Sequence, residues 1–339
     1  MKKLILVLLL LPCLSVEGQI VAPELYASYQ TVVERLDAAD TTGLAVLMKT
    51  LNHDGSTLLR TALEGHAANA SGDYENALLR FDQVLLLTDT LPDVLLGRAL
   101  ALGRSGRFEE AIADLTRLEK QQGANAHLLK LRGLAWLELA KYQEAATDFE
   151  KALAVKPADT ELLYLAALTN YKSDALNQAL VKINQAIGSD SLNAQYFYLR
   201  GSICLEMEDI NAALTNYNRA LALRPGFADA LTMKGYLFYR TGEPAQALTT
   251  LKLAVEADGE FALPWFYTGL CQTELELPAD ALRSFDRAVR LGYDDGDLYH
   301  YRGLAYIQLR RFDDACQAWK DAVLRGYRLS KALSRRYCQ

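Results

Sequence analysis

Residues 126–159 read AHLLKLRGLAWLELAKYQEAATDFEKALAVKPAD, and three positions in this stretch decide the fold: Gly133, Ala145 twelve residues later, and Phe149 one helical turn beyond. The same residue types return at one constant interval in both directions. The alanine position is held by Ala77, Ala111, Ala145, Ala179, Ala213, Ala247, Ala281 and Ala315. The small position upstream is held by Gly65, Ala99, Gly133, Ala167, Gly201, Gly235, Gly269 and Gly303. The bulky position is held by Phe81, Leu115, Phe149, Ile183, Tyr217, Leu251, Phe285 and Trp319. Two helices approach closely only where their side chains are small, and a large apolar group one turn away then fills the gap that remains. Polar breaks such as Ser71-Gly72-Asp73, Ser105-Gly106-Arg107 and Thr241-Gly242-Glu243-Pro244 separate the two small columns. Glycine there closes one helix and proline opens the next, a placement that Pro278 repeats. Each period is therefore a helix, a turn and a second helix.

The 339-residue chain is 51% hydrophobic and 23% charged, and nowhere alternates Val, Ile and Thr over a strand length, so an all-α fold is expected. The columns resemble the tetratricopeptide repeat family. In the third repeat the family's Gly, aromatic, Ala and Pro positions are met by Gly133, Trp136, Tyr142, Ala145, Phe149, Ala152 and Pro157. The fourth repeat departs from the pattern at Asn170, where an aromatic is usual. The resemblance implies a right-handed superhelical solenoid of tandem helix-turn-helix repeats, an αα-superhelix with the first helices along its inner wall. Eight repeats are read at 58–91, 92–125, 126–159, 160–193, 194–227, 228–261, 262–295 and 296–329. A degenerate helical hairpin at 19–57, helical from Pro23 to Ala39 and from Gly43 to Leu51, precedes them, and a basic segment at 330–339 follows. Both have the place of the terminal caps that a repeat array needs.

Met1-Lys2-Lys3 and the apolar run Leu4–Leu14 have the form of a secretory signal peptide, too short to span a bilayer. Val16 and Gly18 supply the small residues of a cleavage before Gln19, so a signal peptide at 1–18 and a periplasmic or secreted mature chain without a transmembrane segment are expected. Pro12 before Cys13 departs from a lipobox, and lipidation there is not expected. Loss of 1–18 removes Lys2, Lys3 and Glu17, leaving the chain one charge more acidic than its formal −6. Such a balance repels phosphate backbones and anionic membranes, so nucleic-acid binding is not expected. Against it stand Arg325, Arg328, Lys331, Arg335 and Arg336, which follow the last acidic residue, Asp321; cations complementing a helix end account for them more simply than a partner patch does. Cys204, Cys271, Cys316 and Cys338 share no close spacing, so no disulfide framework is expected. Cys204 falls on a buried helix face, and Cys338 is the thiol expected to be exposed and reactive.

His53, His66, His127 and His300 have no partner at metal-ligand spacing, and no HExxH, GxSxG or P-loop string occurs, so no metal, cofactor or catalysis is expected. The acid pairs Glu109-Glu110, Asp294-Asp295 and Asp313-Asp314 lie at turns or helix starts, where the helix dipole accounts for them. The carboxylate clamp of chaperone-binding relatives wants lysine and asparagine on adjacent first helices, whereas Lys130 is followed by Leu134 and the next repeat offers Leu165. The family's groove-facing positions fall on Tyr164, Tyr171, Tyr198, Tyr236, Tyr239, Phe266, Tyr267, His300 and Tyr301. The resemblance makes these the wall that binds a peptide or protein; the same rings are equally able to pack between helices. The expected function is a non-catalytic protein-interaction scaffold in a cell-envelope assembly. The alternative is a carbohydrate-binding or sugar-processing envelope protein using the same tyrosines, and self-association through exposed end repeats is a third reading.

Two charge patterns add contact expectations. Arg104, Glu138, Lys172, Glu206, Arg240 and Glu274 alternate in sign at one repeat position, which predicts a ladder of inter-repeat ion pairs. Glu64 with Arg80, Arg98 with Asp114, and Arg132 with Asp148 share one common spacing with the signs exchanged, which predicts that the two helices of a repeat touch there.

Overall fold

A computed structural model describes residues 15–16, 19–20, 23–38, 40–53, 57–88 and 91–338. The expected leader apart from Ser15 and Val16, and Cys13 with it, lies outside the described residues. The chain divides into two compact lobes, Met1–Ser173 and Asp174–Gln339. The division falls in the turn of the fourth repeat, the one that carries Asn170.

The N-terminal lobe opens with a short antiparallel pair, β1 (Ser15–Val16) and β2 (Gln19–Ile20). Among the described residues the helices that follow are α1 (Pro23–Asp37), α2 (Leu44–His53), α3 (Thr57–Ser71), α4 (Tyr74–Leu85), α5 (Pro92–Arg104), α6 (Phe108–Gln122), α7 (Ala126–Glu138), α8 (Tyr142–Val155) and α9 (Thr160–Lys172). The C-terminal lobe contains α10 (Leu176–Ser189), α11 (Ala194–Glu206), α12 (Ile210–Leu223), α13 (Ala228–Arg240), α14 (Pro244–Ala257), α15 (Ala262–Glu274), α16 (Pro278–Arg290), α17 (Gly296–Gln308), α18 (Phe312–Leu324) and α19 (Ser330–Tyr337). Within each lobe consecutive helices pack as antiparallel hairpins, the all-α solenoid architecture expected from the repeat period. Tyr29, Val32 and Leu36 of α1 and Leu47 and Leu51 of α2 are buried in one core cluster with Leu59, Leu63 and Phe81, so the N-terminal hairpin docks on the first repeat.

The three columns make the core. An added Cβ on Gly133 would stand 2.6 Å from Cε1 of Phe149, so the ring occupies the space that a side chain on α7 would need. Gly65 with Phe81 and Gly201 with Tyr217 repeat that arrangement, and Phe81, Phe149, Tyr217, Leu251, Phe285 and Trp319 are all fully buried. Between the helices of every repeat, one residue takes a left-handed conformation: Gly72, Gly106, Ala140, Asp174, Glu208, Gly242, Glu276 and Arg310. There the N–H of Ala140 donates to the Leu137 carbonyl and that of Lys141 to the Trp136 carbonyl, both at 2.9 Å, closing the helix in a Schellman motif. Glycine adopts this conformation freely, whereas each of the five residues with a Cβ costs roughly 1 kcal/mol.

The equally spaced charge pairs touch as expected. Arg80 lies 3.5 Å from Glu64, Arg98 2.7 Å from Asp114, and Arg132 2.7 Å from Asp148. Arginines of first helices also reach backward by the same sequence offset. Arg98 pairs with Asp82 at 2.6 Å, Arg132 bonds Thr116 at 3.2 Å as well as Glu119 at 2.5 Å, and Arg200 bridges Asn184 at 2.9 Å and Asn216 at 2.6 Å. The alternating column, by contrast, makes no ladder. Among the described residues of each lobe no ion pair joins Arg104 to Glu138 or Arg240 to its neighbours, because these residues sit at the last turns of the first helices. Arg104 and Arg240 turn back instead over the rings of Tyr74 and Tyr236, at 5.9 and 5.8 Å.

The cysteine expectation is also corrected, because Cys316 and Cys338 form a disulfide with their Cα atoms 5.6 Å apart. Sequence spacing hid it: α19 folds back on α18, so a residue near the start of α18 meets one just after the end of α19. Cys338 is therefore not a free reactive thiol, while Cys204 is buried as expected and Cys271 is buried as well. Arg325 leaves the basic C-terminal cluster to pair with Asp294 at 2.9 Å and to lie over Tyr299 at 4.0 Å.

Candidate functional site

In the C-terminal lobe α13 packs on α15 and α15 on α17, so residues at equivalent repeat positions on these first helices share one face. Tyr236 and Tyr239 come from α13, Tyr267 from α15, and Tyr301 and His300 from α17. The rings of Tyr236 and Tyr267 stack with centroids 4.9 Å apart, and the Tyr239 hydroxyl meets Tyr301 and Glu274. Burial, then the neighbouring Tyr301 and Glu274, push the Tyr239 hydroxyl pKa well up. Tyr198 of α11 is half-buried and leans on Tyr217 and Phe227 at 5.9 and 5.1 Å, so much of its ring is packing.

Phe266 departs from its expected place on the wall. It is only 3% exposed and stacks on Tyr293 at 4.7 Å, with Phe285 beneath at 6.2 Å, so it is a floor for the tyrosines rather than a surface. His300 is half-buried, with Nδ1 2.9 Å from the Ser330 hydroxyl and its ring against Tyr301 and Tyr327 at 5.3 and 5.0 Å. Burial lowers its pKa, favouring the neutral ring. Tyr164 and Tyr171 lie half-buried on α9 and belong to the N-terminal lobe.

Three residues that the sequence reading passed over complete the face. Asp297 sits in the first turn of α17, and its carboxylate accepts the Leu298 N–H at 2.7 Å and the Tyr293 hydroxyl at 3.2 Å. Burial raises its pKa against the opposing pull of those two hydrogen bonds. Its charge is felt by Tyr267, Tyr293 and Tyr327, whose hydroxyls burial and this carboxylate together push up. Tyr293 and Tyr327 occupy one column, a full period apart, where earlier repeats carry Pro157 and Pro225. That substitution of aromatic for proline was the signal that could have found them.

A second concavity lies in the N-terminal lobe between α5 and α7. It encloses about 280 Å³ over Ala99, Ala111 and Leu115, with Arg104 and Glu138 among its lining residues. It has no aromatic cluster and no half-buried acid to set against a ligand.

A family model described as tetratricopeptide repeat matches residues 96–160, 198–260 and 274–330, more than half of the chain. Among solved structures, a tetratricopeptide repeat protein from Parabacteroides merdae aligns over 73% of this chain and 99% of its own, at 16% identity and a TM-score of 0.60. A chain of the APC/C hetero-tetramer Cut9–Hcn1 aligns over 88% of this chain and 60% of its own, at 14% identity and a TM-score of 0.63. Pseudomonas aeruginosa pilF aligns over 61% of this chain and 96% of its own, at 16% identity and a TM-score of 0.54. At these identities the likeness is one of fold. No curated protein sequence matches the chain.

Proposed function

Because this chain belongs to the tetratricopeptide repeat family, we propose that it is a non-catalytic interaction scaffold holding a peptide or protein segment on the aromatic wall of α13, α15 and α17. The observation that carries this reading is the gathering of Tyr236, Tyr239, Tyr267 and Tyr301 on one face, each half-buried. Their inner edges are fixed by Phe266 and by one another, so little side-chain freedom remains to be lost when a partner covers the rest. Arrays of this family serve as interaction scaffolds, and aromatic rings concentrate at the centres of such contacts.

A photo-crosslinking residue in place of Tyr236, compared with one in place of Leu253 on α14, tests it. Leu253 is 49% exposed and stands on a second helix. Adducts to a protein are expected from the Tyr236 position and none from Leu253. Adducts from Leu253 alone would move recognition off the wall.

The proposal extends to an exported, envelope location. The basic start and apolar run of residues 1–14 support it, as does the Cys316–Cys338 disulfide, since such bonds persist chiefly in oxidising compartments. Cell fractionation is expected to recover the protein outside the cytosol with both cysteines resistant to alkylation. Recovery in the cytosol with both thiols alkylated would remove the location and leave the scaffold to be judged by the crosslink.

A further inference from the structure

The C-terminal lobe treats several of its tyrosine rings in one way. Arg240 lies over Tyr236, Arg325 over Tyr299 and Arg311 over Tyr306, at 5.8, 4.0 and 4.8 Å. Carboxylates are served similarly, with Asp294 held by Arg325 and Asp286 by Arg302, both at 2.9 Å. Around Asp297 the pattern stops. Among the described residues no cation stands over Tyr267, Tyr293, Tyr301 or Tyr327, and none pairs with Asp297.

A carboxylate drawn partly out of water among tyrosine hydroxyls, with no cation beside it, is an environment that favours a cation. Asp295, exposed two residues away and without an ion pair among the described residues, adds to the same negative field. Asp297, Tyr267, Tyr293 and Tyr327 are each half-buried, so a part of each meets solvent. We infer that Asp297, ringed by Tyr267, Tyr293 and Tyr327, is a docking pocket for one basic side chain, arginine or lysine, carried by the segment that the wall holds. The inference rests on the scaffold reading and specifies the chemistry of its partner: the segment presents a positive charge to α17 while its apolar residues lie along α13 and α15. A guanidinium suits the position because its several N–H groups can donate to the carboxylate and to the neighbouring hydroxyl oxygens at once.

The probes are N-acetylarginine methylamide, its uncharged citrulline analogue and methyl glucoside, titrated into the full chain with carbon-labelled tyrosine rings read by NMR. The arginine probe is expected to shift the Tyr267, Tyr293 and Tyr327 resonances and to bind about tenfold tighter than citrulline. Asp297→Asn keeps an oxygen for the Leu298 N–H and the Tyr293 hydroxyl, and is expected to abolish that preference with the fold intact by circular dichroism. Tyr327→Leu, which retains the acid, is expected to weaken the arginine probe and leave some preference. Equal binding of arginine and citrulline, an unchanged preference in Asp297→Asn, or no shift by any probe overturns the pocket. Saturation by the glucoside in place of arginine overturns it in favour of a sugar. The crosslink from Tyr236 reads the scaffold independently, so a wall that captures protein yet ignores charge rejects the pocket alone.

Discussion

Phe149→Ala is expected to lower unfolding stability by about 3–5 kcal/mol, among the largest losses available to a single core substitution. The ring is fully buried, and it fills a space that Gly133 leaves open on the facing helix. Collapse cannot close the cavity cheaply, because α7 and α8 already meet through the small residues Gly133 and Ala145. Urea titration followed by circular dichroism measures the effect, with Phe149→Leu as a control expected to cost less than about 1.5 kcal/mol. In an array where each repeat contacts only its neighbours, the loss should appear as an early transition of the flanking repeats before the remainder unfolds. A single unshifted transition for the alanine variant would mean that the third repeat does not depend on this ring.

Arg132→Leu is expected to cost about 3–5 kcal/mol for a different reason. Its guanidinium donates to Asp148 through Nε at 2.7 Å and Nη2 at 2.8 Å, and reaches Glu119 at 2.5 Å. The Asp148 side chain is only 4% exposed, so removing the arginine strands a charge that water cannot reach. The double variant Arg132→Leu with Asp148→Leu removes both charges, and is expected to recover most of the loss because apolar packing replaces buried ion pairs well. Equilibrium unfolding of the two singles and the double forms a complete cycle. A double variant as unstable as the Arg132 single would show that packing, not charge, sets the cost.

Legibility followed the periodicity of the interactions. The Gly, Ala and aromatic columns report contacts that every repeat must make, so the constant period revealed the helices, and the exchange of sign at a fixed offset revealed which helices touch. The alternating column misled because identical spacing places its members at parallel helix ends, where nearby rings compete for the arginines. Phe266 misled because a groove position in the family is here roofed by Tyr293 from the following turn. Asp297, Tyr293 and Tyr327 were passed over since each is unremarkable alone; only the hairpin α16–α17 and the turn before α19 bring an acid and two tyrosines from loops together. The disulfide was hidden for the same reason, its partners being joined by the fold of a terminal helix that has no counterpart in other repeats.

The backward and forward reach of the first-helix arginines bears on how such a chain can change its length. Asp82, Thr116 and Asn184 occupy equivalent places on their second helices, and each bonds the arginine of the following repeat. Loss of residues 92–125 would bring Arg132 against Asp82 where Thr116 now stands, with Asp148 still ahead of it. The fastening survives that excision because each of these joints is written half in one period and half in the next, at the same offset. Loss of whole periods between joints that carry the arginine would thus leave the pairing intact at the new seam, whereas a cut of any other length would not.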